Sequence, residues 1–269
     1  MRTITQLQDM TQQWVLITGG AGHVGRAAAH ALLELGANVI LLDRDKQYLN
    51  QVHADEFEHA KSVHCVCCEL SDEQSIHLAM KQVASITQGT LNVLINNAAF
   101  VGTDKLTGWC VPFEKQSFET FKACLDVNLS APFLLSQLAF DLMKQTQGAN
   151  RSIINISSIY AVVGPQMDMY AGTEMGNPAA YAASKAGLMQ LTKWMAANIA
   201  PEVRINNIVL GGIERGQPQS FLDKYNAKVP MQRMATEEDV KGAIAYLSSG
   251  LSNYMTGQSL YLDGGWTAI

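Results

Sequence analysis

Basic residues are in short supply. Lysine and arginine number 19 against 24 aspartates and glutamates, giving a net charge of −5; the positive excess that nucleic-acid backbones demand is missing, and nucleic acid is not an expected partner. No uninterrupted apolar run approaches a membrane span, so no membrane association is expected either. Residues 1–13 are polar and lack the apolar core of a secretory signal, and they read as a tail on a cytoplasmic protein. Cysteine is sparse: five residues, an odd number, suit free thiols in a reducing compartment better than a disulfide framework. Histidine is missing after His77, which argues against a catalytic imidazole in the later part of the chain. His64-Cys65-Val66-Cys67-Cys68 is the one cluster that could pass for a metal site. Its alternation fits a buried strand, and no second Cys/His pair at zinc spacing follows, so no metal is expected. There is no Pro/Gly/Ser-rich linker, repeat or low-complexity tract. The expected organisation is one domain over residues 14–269 behind the tail.

What is present begins with a nucleotide-binding pattern. The apolar run 14–17 reads as a buried strand and leads into Thr18-Gly19-Gly20-Ala21-Gly22-His23-Val24-Gly25, followed by a helical pattern through Ala27, Leu32 and Leu33 that Gly36 stops. Strand, glycine turn and helix are the context in which such a motif acquires meaning. Glycines allow the tight turn and let the backbone approach a pyrophosphate, which sits on N–H groups at the helix N-terminus. Gly19, Gly22, His23, Val24 and Gly25 are the expected contacts. A second apolar run, 39–42, ends in Asp43, 18 residues after Gly25 and close to where a carboxylate meets the adenosine ribose; Arg44 follows it.

Tyr181-Ala182-Ala183-Ser184-Lys185 puts a phenol and an ammonium four residues apart on one helix face. A cation beside a phenol favours the phenolate, so the pair can exchange a proton with a carbonyl or alcohol oxygen. Elsewhere the spacing 71–74 has the form of a capping box opening a helix to about residue 87. The spacing 236–239 does the same, with Asp in the Glu/Gln position, for a helix to about 248. Strands are expected at 93–96, 152–157, 204–209 and 259–262, and long helices at 118–144 and 178–200. Alternating β and α elements give an α/β fold with a doubly wound parallel sheet.

Thr18-Gly19 with its glycine turn, Asn96-Asn97-Ala98-Ala99, Asn128, Ser157-Ser158, Tyr181 with Lys185, and Asp263-Gly264-Gly265 stand in an order that resembles single-domain short-chain dehydrogenases/reductases. The resemblance implies a Rossmann sheet of about seven strands and hydride transfer between a nicotinamide cofactor and an alcohol or ketone. It also implies roles: Tyr181 as acid–base, Lys185 lowering its pKa and holding the nicotinamide ribose, Ser158 holding the substrate oxygen, and Asn128 steadying a proton relay through water. Which of Ser157 and Ser158 faces the substrate stays open, because adjacent strand residues face opposite sides. Asp43 and Arg44 would meet the ribose, Glu69 and Leu70 the adenine. Asn97, Ala98, Ala99 and Gly211 would line the cofactor and the Ile213 backbone would meet the carboxamide. A carboxylate at Asp43 favours NAD(H) over NADP(H).

Three positions depart from the family pattern. His23 stands where a glycine is usual, Leu210 where a proline is, and Arg215 where a threonine approaches the pyrophosphate or carboxamide. The glycine spacing resembles nucleotide-sugar epimerases and dehydratases, which keeps that reading open, together with a non-catalytic dinucleotide-binding protein. The segments 100–117 and 159–180 are longer than hydride chemistry needs and are expected to shape the substrate pocket, with 214–230 as a lid. They also resemble oxidoreductases of bacterial surface-sugar pathways, so the substrate is expected to be a small alcohol or ketone, such as a sugar derivative. Family members pair their two long helices across two-fold axes, which predicts a homodimer or homotetramer.

Overall fold

Seven short runs rich in Val, Ile and Leu build one parallel sheet in this computed structural model, which describes residues 1–101, 104–148 and 150–269. In chain order the elements are α1 (Ile4–Gln8), β1 (Trp14–Thr18), α2 (His23–Glu34), β2 (Asn38–Asp43), α3 (Lys46–Glu56), β3 (Val63–Cys67), α4 (Glu73–Ile86) and β4 (Val93–Asn96). There follow α5 (Phe118–Leu125), α6 (Ala131–Gln145), β5 (Ser152–Ser158), α7 (Ala179–Ile199), β6 (Arg204–Leu210), α8 (Gln219–Lys228), α9 (Glu237–Ser248) and β7 (Ser259–Leu262). Strand order is β3-β2-β1-β4-β5-β6-β7, and the reversal between β1 and β4 opens a crevice past the strand ends.

Alternate strand residues feed two cores. Val15, Ile17, Val39, Leu41 and Ile95 meet α2 and α9 on one face. Leu16, Ile40, Leu94, Ile153 and Ile205 meet α4, α6 and α7 on the other. With both faces covered, β4, β5 and β6 are buried at every position, as parallel strands require. The stretch Phe118–Gln145 is long and apolar enough to cross a membrane by length and composition. Its apolar side is nonetheless core, since Val127, Ala131, Leu135, Ala139 and Met143 pack on the sheet.

A row of amides crosses the buried sheet. Asn96 pairs with Asn155, Asn155 with Asn207, and Asn207 with Ser259 at one register level of four adjacent strands. Asn96 Nδ2 donates to Asn155 Oδ1 and Asn155 Nδ2 to Thr192 Oγ1, while Thr192 Oγ1 donates to Asn207 Oδ1, each at 2.8 Å. Asn207 Nδ2 ends the row on Ser259 Oγ at 3.2 Å. Unpaired buried amides are costly, so the row fixes how α7, which carries Thr192, slides along β5 and β6.

Several expectations change. The stretch expected as a tail holds α1, capped reciprocally by Thr3 and Gln6, and its Met10 is fully buried. α4 starts one residue later than the spacing suggested: Asp72 caps it by accepting from Gln74 N, while the Ser71 hydroxyl donates to Glu69. The helix expected over 118–144 is interrupted by a π turn at Asp126–Ser130 with Asn128 at its centre. Pro132 explains the interruption, because it has no N–H to give the carbonyl of Asn128 four residues earlier. The cysteine-bearing strand β3 lies at the sheet edge, so Val63 and Val66 are buried while Cys67 is exposed. The 214–230 segment contains α8, whose Phe221 and Tyr225 are buried against Tyr170 and Trp266 instead of resting on their own loop.

Thr192→Val keeps the side-chain shape but strands the Asn155 donor and the Asn207 acceptor. At about 1–3 kcal/mol for each unsatisfied buried group, urea unfolding should show a loss of roughly 2–6 kcal/mol; an unchanged midpoint would show that the row does not stabilise the fold.

Candidate active site

The site is a groove of about 680 Å³ beyond the carboxyl ends of the strands, and all of the expected catalytic and cofactor residues except Asn128 and Gly25 line it. Its floor is the glycine turn. Gly19 has φ +61°, and a Cβ there would come within 2.9 Å of Ala98 Cα. A Cβ on Gly25 would lie 2.3 Å from Gly19 O, so Gly25 serves the turn from beneath. Gly22 caps α2 without a side-chain hydrogen bond, which leaves the first N–H groups of that helix facing the groove. Bare amides and a cradle that any Cβ would fill fit a dinucleotide's pyrophosphate.

Asn97 does more to shape the turn than to reach into the groove. Its Nδ2 donates to Thr18 O and Gly19 O, and its N and that of Ala98 both donate to Thr18 Oγ1 at 3.0 Å. At the adenosine end Asp43 Oδ2 accepts from Ala21 N at 3.1 Å and Oδ1 from Arg44 N at 2.8 Å. The Arg44 guanidinium turns away, 6.0 Å above the Phe100 ring. Glu69 accepts from the N and Oγ of Ser71 and stays exposed, while Leu70 is buried. At the opposite wall Gly211 N donates to Leu262 O, and Ile213 bridges to Ala235.

The inner end holds the four expected catalytic residues in one network. Ser158 lies beside the Tyr181 phenol, and its Oγ accepts from Tyr160 N. Burial pushes the Tyr181 pKa up to about 12, against the opposing pull of the Ser158 hydroxyl. Ser157 is the serine that faces away: its Oγ donates to Lys185 O beneath α7. Lys185 Nζ is buried, donates to Ile156 O at 2.7 Å and lies 5.8 Å from the centre of the Tyr181 ring. Desolvation pulls its pKa down to about 8. Asn128 is fully engaged: Oδ1 accepts from Phe100 N, and Nδ2 donates to Phe100 O and to Ser184 Oγ at 3.1 Å. Ser184, which in turn donates to Tyr181 O, is a linking residue that the sequence reading passed over. Its position three residues after Tyr181, on the same helix face, was the available signal. Asn177, also missed, lines the substrate end with Tyr160 and Tyr170, whose hydroxyls lie 2.6 Å apart.

Residues 19–267 match the family profile described as "Enoyl-(Acyl carrier protein) reductase". The chain belongs to the short-chain dehydrogenase/reductase family, nicotinamide-dependent oxidoreductases of CH–OH and keto groups. It is 28% identical over 255 residues to Post-translational flagellin modification protein A of Campylobacter coli, covering 94% of this chain and 97% of that protein. It is 30% identical over 258 residues to the 3-oxoacyl-[acyl-carrier-protein] reductase FabG of Aquifex aeolicus (strain VF5), covering 93% and 95%. A solved short-chain dehydrogenase of Leptospira borgpetersenii serovar Hardjo-bovis, with bound NAD+, matches at TM-score 0.84 and 30% identity over 99% of this chain and 96% of that one.

Proposed function

We propose that this protein is an NAD(H)-dependent oxidoreductase that interconverts an alcohol and a ketone on a hydroxyl-rich substrate such as a sugar derivative. The observation that carries the reading is the Tyr181 phenol set beside Ser158 and the buried Lys185, at the inner end of a groove shaped for a dinucleotide. The relationship to single-domain reductases along nearly the whole chain favours it over an epimerase, a dehydratase or a silent binder.

A nicotinamide dinucleotide bound in the groove supplies hydride in one direction and accepts it in the other. Tyr181 gives its proton to the substrate oxygen as negative charge develops there, and in oxidation takes it back. Ser158 donates to the same oxygen. Lys185 holds the nicotinamide ribose through its two remaining N–H groups. Asn128, held by Phe100 and Ser184, steadies a proton relay through water. Asn177 and the paired hydroxyls of Tyr160 and Tyr170 offer polar groups to a substrate among the apolar Met175, Phe221 and Met234.

A panel of alcohols, ketoses and amino sugars, followed at the nicotinamide absorbance band, identifies a substrate. On it Tyr181→Phe should lower kcat by roughly 10²-fold or more with little effect on cofactor affinity. Near wild-type turnover would show that the proton comes from elsewhere.

Asp43 is the basis for NAD(H). Its carboxylate is pinned by two backbone N–H groups at the end of β2, where a 2′-phosphate would meet it. Repulsion at contact in a partly buried crevice is worth several kcal/mol, against about 1 kcal/mol or less from an exposed arginine. NADH should therefore bind more tightly than NADPH in a fluorescence titration, and Asp43→Ala should narrow the gap. Tighter NADPH binding by the native chain would overturn this role.

The assembly we infer is a homodimer or homotetramer. α7 buries Leu188 and Met195 on the sheet yet leaves Trp194 57% exposed on its other side, and Phe133 on α6 is also exposed. Sedimentation at micromolar concentration should give a mass at least twice 29.3 kDa, and a monomer mass would refute the pairing.

A further inference from the structure

One carboxylate joins the two walls of the groove at its rim. Glu237, the first residue of α9, places Oε1 3.2 Å from His23 Nδ1 at the start of α2 and 3.7 Å from Arg215 Nε in the loop between β6 and α8. The neighbouring acid is committed elsewhere, since Asp239 takes Arg233 and caps α9 through Thr236. Arg26 is paired with Glu56, and its Nη2 lies 3.5 Å from His23 Nδ1. The Arg215 backbone is held as well: its N donates to Gln217 Oε1 at 2.6 Å, and Gln217 Nε2 returns to Ile213 O at 2.8 Å. The side chain is about two-thirds covered and lines the groove, and among the described residues neither Nη has a hydrogen-bond partner.

We propose that Arg215 is a contact for the diphosphate of the bound dinucleotide, held over the groove by Glu237, which also takes His23 from the facing wall. Glu237 lies nearest Nε, at 3.7 Å an ion-pair contact and not a hydrogen bond, and so the two Nη groups keep the planar fork that matches phosphate oxygens. The α2 N–H groups receive the diphosphate from below and Arg215 receives it from above. Burial, and then the charges of Arg215 and Arg26, hold the His23 pKa below its ordinary value. The neutral imidazole can then donate to Glu237 without adding charge. Exposed pairs of this kind are worth little alone. The closure tightens when a diphosphate gives Arg215 its second partner.

The inference rests on reading the groove as a dinucleotide site, and the test separates the two. Calorimetry would compare ADP-ribose, which carries the diphosphate, with adenosine, which lacks it. Native chain that binds neither would defeat the groove reading itself, and this inference with it. Given binding, Arg215→Ala should weaken ADP-ribose about 5- to 100-fold, the range of a charge-assisted hydrogen bond, and flatten its salt dependence, with adenosine unchanged. Arg215→Lys should recover part of the loss. A loss below about 5-fold would overturn the contact and leave Arg215 to the substrate end. The positioning role of Glu237 has its own readout: in a Glu237→Gln background Arg215→Ala should cost at most about a third as much, and an equal cost in both backgrounds would remove it.

Discussion

Keeping the Lys185 ammonium out of water is the constraint around which the active site is arranged. A lysine 3% exposed, with one hydrogen bond to a strand carbonyl, is an expensive thing to hold in place. It stays because α7 cannot shift. Ser157 grips the Lys185 carbonyl from β5, Ser184 ties the same turn to Asn128, and Thr192 two turns on is locked into the row of amides crossing β4, β5, β6 and β7. The sheet thus fixes the position of α7 through buried polar contacts. Orientation is set before a substrate arrives, which is the part of catalysis a scaffold can supply.

The same burial decides the resting protonation of the phenol. With its pKa pushed up to about 12, Tyr181 is a phenol throughout the physiological range, the form that the proposed reduction of a carbonyl needs. Oxidation asks the reverse, and for that the phenolate must be made less costly. Two features work in that direction: the neighbouring Ser158 hydroxyl and, more weakly, the charge of Arg215. Lys185 lies near the ring, but its charged form is itself disfavoured by burial.

Much of this was legible in the sequence because its signals are local. The glycine turn, the strand ends at Asp43 and Asn96, the Tyr–Lys spacing and the Thr236 cap each depend on residues within a turn or two of one another, and all stand in the structure where the spacing put them. What the sequence hid involves long separations. Asn128 stood out through the resemblance alone; its side chain is held by Phe100 and Ser184, 28 and 56 residues away. The row of amides needs the register of four strands, which no single segment carries. The polar residues before β1 concealed a helix because its two capping partners, Thr3 and Gln6, are exposed and only Met10 enters the core. The 214–230 aromatics became a packed helix because their partners, Tyr170 and Trp266, lie some forty to fifty residues away in either direction.

The departures from the family pattern then meet from two walls at one edge of the groove and have a common physical sense. Leucine at 210, unlike proline, can keep the extended pairing of a strand, and β6 accordingly runs through Leu210, which pairs with Ser158 on one side and Leu262 on the other. The ladder thereby reaches the serine that touches Tyr181, and Gly211 continues it by donating to Leu262. Gly212 N is then taken by the Tyr225 hydroxyl at 2.7 Å, so the backbone leaving β6 is held stiffly up to Ile213. Arg215 begins from that stiff base, while His23 gives the opposite wall a side chain long enough to meet it through Glu237. A glycine at 23 would offer no such reach, and a threonine at 215 could not extend to the carboxylate. The three changes are therefore better understood together, as one closed edge of the cofactor groove, than as separate losses from a common motif.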